Sequence, residues 1–237
     1  MGCISRRLSA KQLICLSFVF AAGCGFEPGA TEPEAESVGE TAQALVTTIT
    51  TLAQLRAMSP TGDYVLGADI DASATAATPF VGIGTLASPF RGSFDGKTFK
   101  ITNLTVSATG WYTGMFKIVE GATLKNIRLV NVNVPGSSPY TGAIAGVMND
   151  TTLSDSTVSG TVKGAESTGG LVGSTANSTL ISNSISNLNV TGTSKLGGFV
   201  GFASWSSFVT NCTSTNGSVK GTVNTGGFVG EASDSHV

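Results

Sequence analysis

The sequence predicts an all-β protein: a right-handed parallel β-helix (solenoid) of about five coils with a short N-terminal capping helix. Three observations carry this reading. A glycine-rich hexapeptide recurs as TGGLVG (Thr168 to Gly173), LGGFVG (Leu196 to Gly201) and TGGFVG (Thr225 to Gly230). Aligned on the apolar residue, five copies fall at Phe116, Ile144, Leu171, Phe199 and Phe228, spaced 28, 27, 28 and 29 residues apart. A second column, Asn126, Asp155, Asn183 and Asn211, keeps spacings of 29, 28 and 28. Two columns sharing one period are the signature of a repeat architecture.

The kind of repeat follows from its local pattern. Helical repeats need a 3.6-residue apolar period, whereas these segments alternate in short runs broken by Gly, Asn and Ser. Leucine-rich repeats need several leucines at fixed offsets, and these are absent. A coil of short parallel strands stacked on their equivalents fits, and the period suits a three-sided coil with one extended turn. Each apolar residue of the column then packs on its counterpart about 4.8 Å away. Burying it contributes about 1.5–3 kcal/mol, which outweighs a glycine cost of roughly 0.5–1 kcal/mol. On this reading the glycines turn corners at positive φ and leave room for the bulky column. Asn126, Asp155, Asn183 and Asn211 form a polar ladder at another corner, with Asn103, 23 residues earlier, as its first member on a shorter turn.

The ends of the chain read differently. Arg6, Arg7 and Lys11 precede a short apolar run, Leu13 to Ala22, too short to span a bilayer and built like an export signal. It ends in Ala21-Ala22-Gly23-Cys24, which resembles the lipobox of bacterial lipoproteins. The resemblance implies a signal peptide over residues 1–23, lipidation of Cys24, anchoring in a membrane through that lipid, and an outer-membrane or cell-surface location. Residues 24–46 form an acidic flexible tether; Gly25 to Leu45 holds five glutamates and no basic residue. Cys3 and Cys15 leave with the signal, so Cys212 stands without an intrachain partner. Residues 47–110 are the N-terminal cap and first coil or coils. There TLAQLRAM (Thr51 to Met58) reads as an amphipathic helix with Thr51 and Gln54 as a capping box. Residues 111–237 hold the repeats of about 28 residues. The last is incomplete, which points to a piece of a longer chain; His236, the sole histidine, is expected in a disordered tail.

The repeats also carry a family resemblance. TGGLVG, LGGFVG and TGGFVG resemble the GLUG motif of bacterial surface and secreted proteins. These include the non-catalytic N-terminal regions of immunoglobulin A-cleaving metallopeptidases. The lead-in, GDYVLGADIDAS (Gly62 to Ser73) and PFRGSFDGKTFKITNLTV (Pro89 to Val106), is similar to theirs. The resemblance implies a parallel β-helix and no defined activity.

For function, composition and motif exclude more than they assign. Only 12% of residues are charged and no basic patch is visible, so nucleic acid is not an expected partner. Nothing in the sequence calls for a cofactor. No HExxH helix, Ser-His or Cys-His arrangement is available, and no catalytic residue is assigned. A polysaccharide-degrading site would need carboxylates converging from neighbouring rungs. Asp150 aligns with Asn177, Trp205 and Asp234, and Glu166 with Pro139 and Ser194, so neither meets an acid. Asp69 and Asp71 share a strand face, with Asp63 and Asp95 near in sequence; they are weak Ca²⁺ candidates, read first as turn and strand-end residues. Tyr112 and Tyr140 occupy one register, Trp111 lies beside the first, and Trp205 sits in GFASWSSF. Exposed aromatics rimmed by Ser, Thr and Asn suit a ligand-binding face, although the same residues are read first as a cross-rung pair that stabilises the coil. The expected function is therefore an adhesion or binding module, for extracellular polysaccharide or another surface protein. The alternatives are a structural or truncated fragment of a larger surface protein and a polysaccharide-degrading enzyme.

Overall fold

The computed structural model describes residues 45–215 and 217–237. The expected signal peptide, Cys24 and all but the last two residues of the tether lie outside the described residues. The described chain is a parallel β-solenoid of about six turns, one more than the hexapeptide copies reveal. The extra turn comes from the lead-in, which coils at the same pitch without the glycine motif.

Four sheets run along the solenoid, where the period suggested three sides. Sheet I stacks Val46–Ile49, Asp63–Leu66, Ser93–Asp95, Thr123–Lys125, Thr152–Ser154, Leu180–Ser182 and Phe208–Thr210. Sheet II stacks Ile70–Asp71, Ile101–Thr102, Arg128–Val134, Thr157–Lys163, Ile185–Thr191 and Thr213–Ser214, with Val219–Lys220 also paired to the fifth. Sheet III holds Tyr112–Thr113, Tyr140–Thr141, Glu166–Gly169, Ser194–Gly197 and Val223–Gly226. Sheet IV holds Phe116–Glu120, Ala145–Asn149, Val172–Ala176, Val200–Ser204 and Val229–Ser233. From Tyr112 onward each coil passes through III, IV, I and II in turn. Strands this short bury one face because alternate side chains point inward. Phe94, Leu124, Leu153, Ile181 and Val209 make one such inward column in sheet I.

The register corrects the sequence alignment at its first copy. Ile144, Leu171, Phe199 and Phe228 do follow one another through backbone bonds of 2.8–2.9 Å, and the rings of Phe199 and Phe228 stack with centroids 4.7 Å apart. Phe116 instead pairs with Ala145, in the column of Val172, Val200 and Val229. The first copy has one residue fewer between its sheet III and sheet IV strands, so Phe116 moves one place along the strand and packs on Phe90 and Phe94.

The glycines act by clearance. Among the described residues, positive φ at glycine is confined to Gly84, Gly110, Gly121 and Gly160, none in a hexapeptide. Sheets III and IV meet so closely that a Cβ on Gly201 would lie 2.5 Å from the Ser167 carbonyl carbon and 2.6 Å from the Thr168 nitrogen. Gly146, Gly173 and Gly230 meet the same obstruction one rung apart. The equivalent in the first such coil is Lys117, opposite Gly146, where no sheet III strand lies on the preceding rung and a side chain fits.

The left-handed corners belong to other residues. Asn126, Asp155, Asn183 and Asn211 all have φ between 48° and 55°, as Asn tolerates better than most residues. Asn183 Nδ2 donates to Asp155 Oδ1 at 3.3 Å, and Asn126 Nδ2 donates to Asp95 Oδ1 at 2.8 Å. Asn103 does not start this row. It sits on sheet II's side of the coil, next to Thr102, and its Oδ1 accepts from Asn131 Nδ2 at 2.8 Å; the place opposite Asn126 is Gly96. The lead-in spaces its segments differently, so identical residue types fell in different rows.

Two hydroxyl ladders hold the buried corners. Ser156 Oγ accepts from Ile127 N at 3.1 Å and donates to Ser154 O at 2.8 Å; Ser184 Oγ accepts from Ser156 N at 3.2 Å and donates to Ser182 O at 2.8 Å. Cys212 takes the next place and directs its Sγ to Thr210 O at 3.2 Å. Burial pushes the Cys212 thiol pKa up. At the other corner Thr151, Thr179, Ser207 and Ser235 each donate to a carbonyl two or three residues back. These bonds satisfy backbone groups that a corner leaves out of the sheet ladders.

At the N-terminal end, Leu52–Arg56 is a single helical turn with the expected capping box. Gln54 N donates to Thr51 Oγ1 at 3.2 Å, and Thr51 N donates to Gln54 Oε1 at 3.1 Å. Leu55 is fully buried. At the other end His236 is not a tail residue. Its backbone bridges Phe208 in parallel, and the two rings stack with centroids 5.0 Å apart.

Candidate functional site

The angle between sheets III and IV leaves a groove on the outside of the solenoid. Its sheet IV wall is the outward row Ile118, Val147, Ser174, Phe202 and Glu231, each opposite the next. Its sheet III edge begins with Tyr112 and Tyr140, which are directly paired. Their rings stack at 5.4 Å between centroids and 23° between planes. Further along, the same edge carries Lys195, whose ammonium lies 4.5 Å from the centre of the Phe202 ring. Asn224 follows, donating Nδ2 to Glu231 Oε2 at 2.6 Å.

Beside the tyrosine pair the groove opens into a cavity of about 350 Å³. Leu86, Tyr112, Ile118, Tyr140 and Val147 supply its apolar wall, and Glu120, Asn149, Ser174, Ala176 and Asn177 the rest. A second hollow of about 450 Å³ shares Glu120, Asn149 and Asn177 and adds Arg91, Gly121, Asp150 and Ser178. The two together give an apolar platform that passes into a polar shelf. Arg91 is tied to Glu120 at 2.9 Å. Lys195 lies 3.5 Å from Glu166 and 3.7 Å from Glu231. The Asn149 Oδ1 atom is buried with no hydrogen-bond partner.

The shelf is shaped by backbone. Gly121, Asp150, Asn177, Trp205 and Asp234 form a row with φ between 46° and 61°, and Ser178 and Ser206 continue the left-handed turn at 60° and 59°. Trp205 is the costly member, because a bulky side chain in this region crowds its own backbone; its indole is exposed. It follows Asn177 by one rung but does not line either hollow. Trp111 is also exposed, and its carbonyl accepts from Tyr140 N at 2.9 Å. Of the four aromatics singled out in the sequence, the structure therefore brings Tyr112 and Tyr140 together and sets Trp111 and Trp205 apart.

The acidic lead-in residues are engaged separately. Asp63 Oδ1 accepts from Ser93 N at 2.8 Å and Ser93 Oγ at 2.7 Å. Asp69 Oδ1 accepts from Lys100 N at 3.0 Å. Asn103 Nδ2 at 3.1 Å, then the Ser73 amide and hydroxyl, hold the Asp71 carboxyl below its ordinary range. For Asp95 burial opposes the charge, yet Asn126 Nδ2 and Lys97 N, each at 2.8 Å, and the Lys97 ammonium at 3.1 Å outweigh it and lower the pKa. Among the described residues no three His, Cys, Asp or Glu side chains gather as a metal site. Asp150 indeed faces Gly121 and Asn177 rather than an acid, but Glu120, the neighbour of Gly121, shares its hollow.

Sequence reasoning passed over Ile118, Glu120, Val147, Asn149 and Asn177. The strand period could have found the first four, which lie two and four places beyond Phe116 or Ala145. Leu86 and Arg91 reach the groove from the lead-in, which no repeat register predicts.

A family model, the M26 IgA1-specific metallo-endopeptidase N-terminal region, matches residues 41–160, half of the chain. The chain belongs to this family. The M26 N-terminal region is distinct from the catalytic domain of these peptidases, and the matched span includes Tyr112, Tyr140, Glu120 and Asn149. No curated protein and no solved structure matches the chain.

Proposed function

We propose that this M26 N-terminal-region chain is a surface-displayed binding module for extracellular polysaccharide, anchored through a lipid on Cys24. One observation carries the reading: two tyrosine rings stacked on adjacent rungs border a groove that runs from an apolar wall into a shelf of amide and carboxylate groups. Sugars present just such a mixture, with C–H faces that pack on aromatic rings and hydroxyls that bond to amides and carboxylates. The groove crosses successive rungs along the axis, which is the direction an extended chain needs.

The test is a polysaccharide-binding screen with the purified chain and its Tyr112→Ala/Tyr140→Ala variant. Binding that the double variant loses, with its circular dichroism unchanged, supports the reading. A well-folded chain that binds no polysaccharide refutes it and favours a scaffold in a larger surface assembly. The hydrolytic alternative draws on Glu120 and Asp150 sharing one hollow; release of new reducing ends by the chain would favour it.

A further inference from the structure

We propose that the groove takes a neutral, hydroxyl-rich glycan and discriminates against acidic ones such as uronate polymers. The inference rests on the polysaccharide reading above and narrows it by charge and hydrogen-bonding capacity. Acidic glycans are usually held by free cations, above all by the planar fork of arginine. Neither cation at this groove is free: Arg91 pairs with Glu120 at 2.9 Å, and Lys195 lies between Glu166 and Glu231. What lines the hollows instead is amide and carboxylate. Asn149 and Asn177 border both hollows. Asp150 borders the shelf and makes no ion pair among the described residues.

A hydroxyl group answers both features. Donor and acceptor at once, it matches the side-chain amides of Asn149 and Asn177 that line both hollows, and it brings no charge against Asp150 and Glu120. A carboxylate or sulfate in the same place can donate nothing and meets like charge. The tyrosine pair is indifferent to this choice, so the shelf decides it.

The experiment is titration calorimetry of the full chain with two sets of polymers. Laminarin, mannan and galactomannan form the neutral set; polygalacturonate and alginate form the acidic set. Each runs at low salt and at 0.5 M NaCl, where exposed charges are screened. The expected result is binding to at least one neutral polymer, changed less than about twofold by salt. Asn149→Ala weakens it by roughly three- to tenfold, the worth of one hydrogen bond. Glu120→Gln removes the partner of Arg91 at an exposed pair, so salt-sensitive binding of polygalacturonate should emerge in that variant. Preference of the unaltered chain for acidic polymers overturns the inference while leaving the polysaccharide reading in place. Neutral binding untouched by Asn149→Ala in a folded protein overturns it as well. Binding of no polymer in either set overturns the broader reading itself.

Discussion

Replacing Gly201 by alanine isolates the reason for the glycine repeats. The new Cβ would stand 2.5 Å from Ser167 C, 2.6 Å from Thr168 N and 2.7 Å from Gly173 O. All three are backbone atoms of paired strands, so no side chain can rotate away. Ordinary carbon contacts need 3.5–4 Å, and sheet III must therefore retreat by about 1 Å on one rung. Overpacking of this kind costs about 1–3 kcal/mol, offset by the roughly 0.5–1 kcal/mol that alanine gains over glycine in a strand. The matching control is Lys117→Ala, in the same column but without an obstructing strand, which should change stability by less than about 0.5 kcal/mol. Urea unfolding followed by far-ultraviolet circular dichroism measures both, and amide hydrogen exchange should place the loss around residues 166–173 and 194–204. Equal effects at the two positions, or a stable Gly201→Ala protein, would refute the clearance argument and return the glycines to a conformational role.

Other expectations follow from features described above. Phe199→Ala removes a fully buried ring between Leu171 and Phe228 and should cost about 3–5 kcal/mol in urea unfolding. Ser184→Ala should cost about 1–3 kcal/mol, because the buried Ser156 N–H loses its acceptor. Cys212→Ser should be tolerated within about 1 kcal/mol, since the two preceding places in its row hold serine. The Cys212 thiol itself should alkylate with iodoacetamide more slowly at neutral pH than a free cysteine, its pKa being raised. The folded-state pKa of Asp95 is lowered, so its contribution is complete above the ordinary aspartate value of about 3.9 and is lost as pH falls through the lower folded value. Thermal unfolding of Asp95→Asn below pH 4 should accordingly depend less on pH than that of the unaltered protein.

The solenoid was legible because repetition multiplies a weak signal: one TGGFVG says little, whereas a conserved 28-residue step fixes which residues stack. The same step misled where the chain departs from it. A single residue missing between Thr113 and Phe116 displaced Phe116 from the column, and the lead-in, lacking the hexapeptide, hid a full turn and lent Asn103 to the wrong row. The glycine role was misjudged because sequence shows which residue is small, not what approaches it. His236 looked like a tail because its partner, Phe208, lies 28 residues away. The tyrosine pair could be read from register alone. The polar shelf could not, since Arg91 and Leu86 arrive from another coil and Glu120 lies beside, not opposite, its neighbour Asp150.

The coil register has an evolutionary consequence. A segment such as residues 140–166 starts and finishes against equivalent hydrogen-bonding partners on the rungs before and after it. Tandem duplication of such a segment would extend the rod by one step of about 4.8 Å and leave everything upstream and downstream in place. A duplication a few residues longer or shorter has to be absorbed at a corner, as the Thr113–Phe116 link absorbs one, or it turns every later core residue outward. Gain and loss of whole coils is thus the cheap route of variation for this molecule, and it changes reach while preserving the surface that each remaining coil displays.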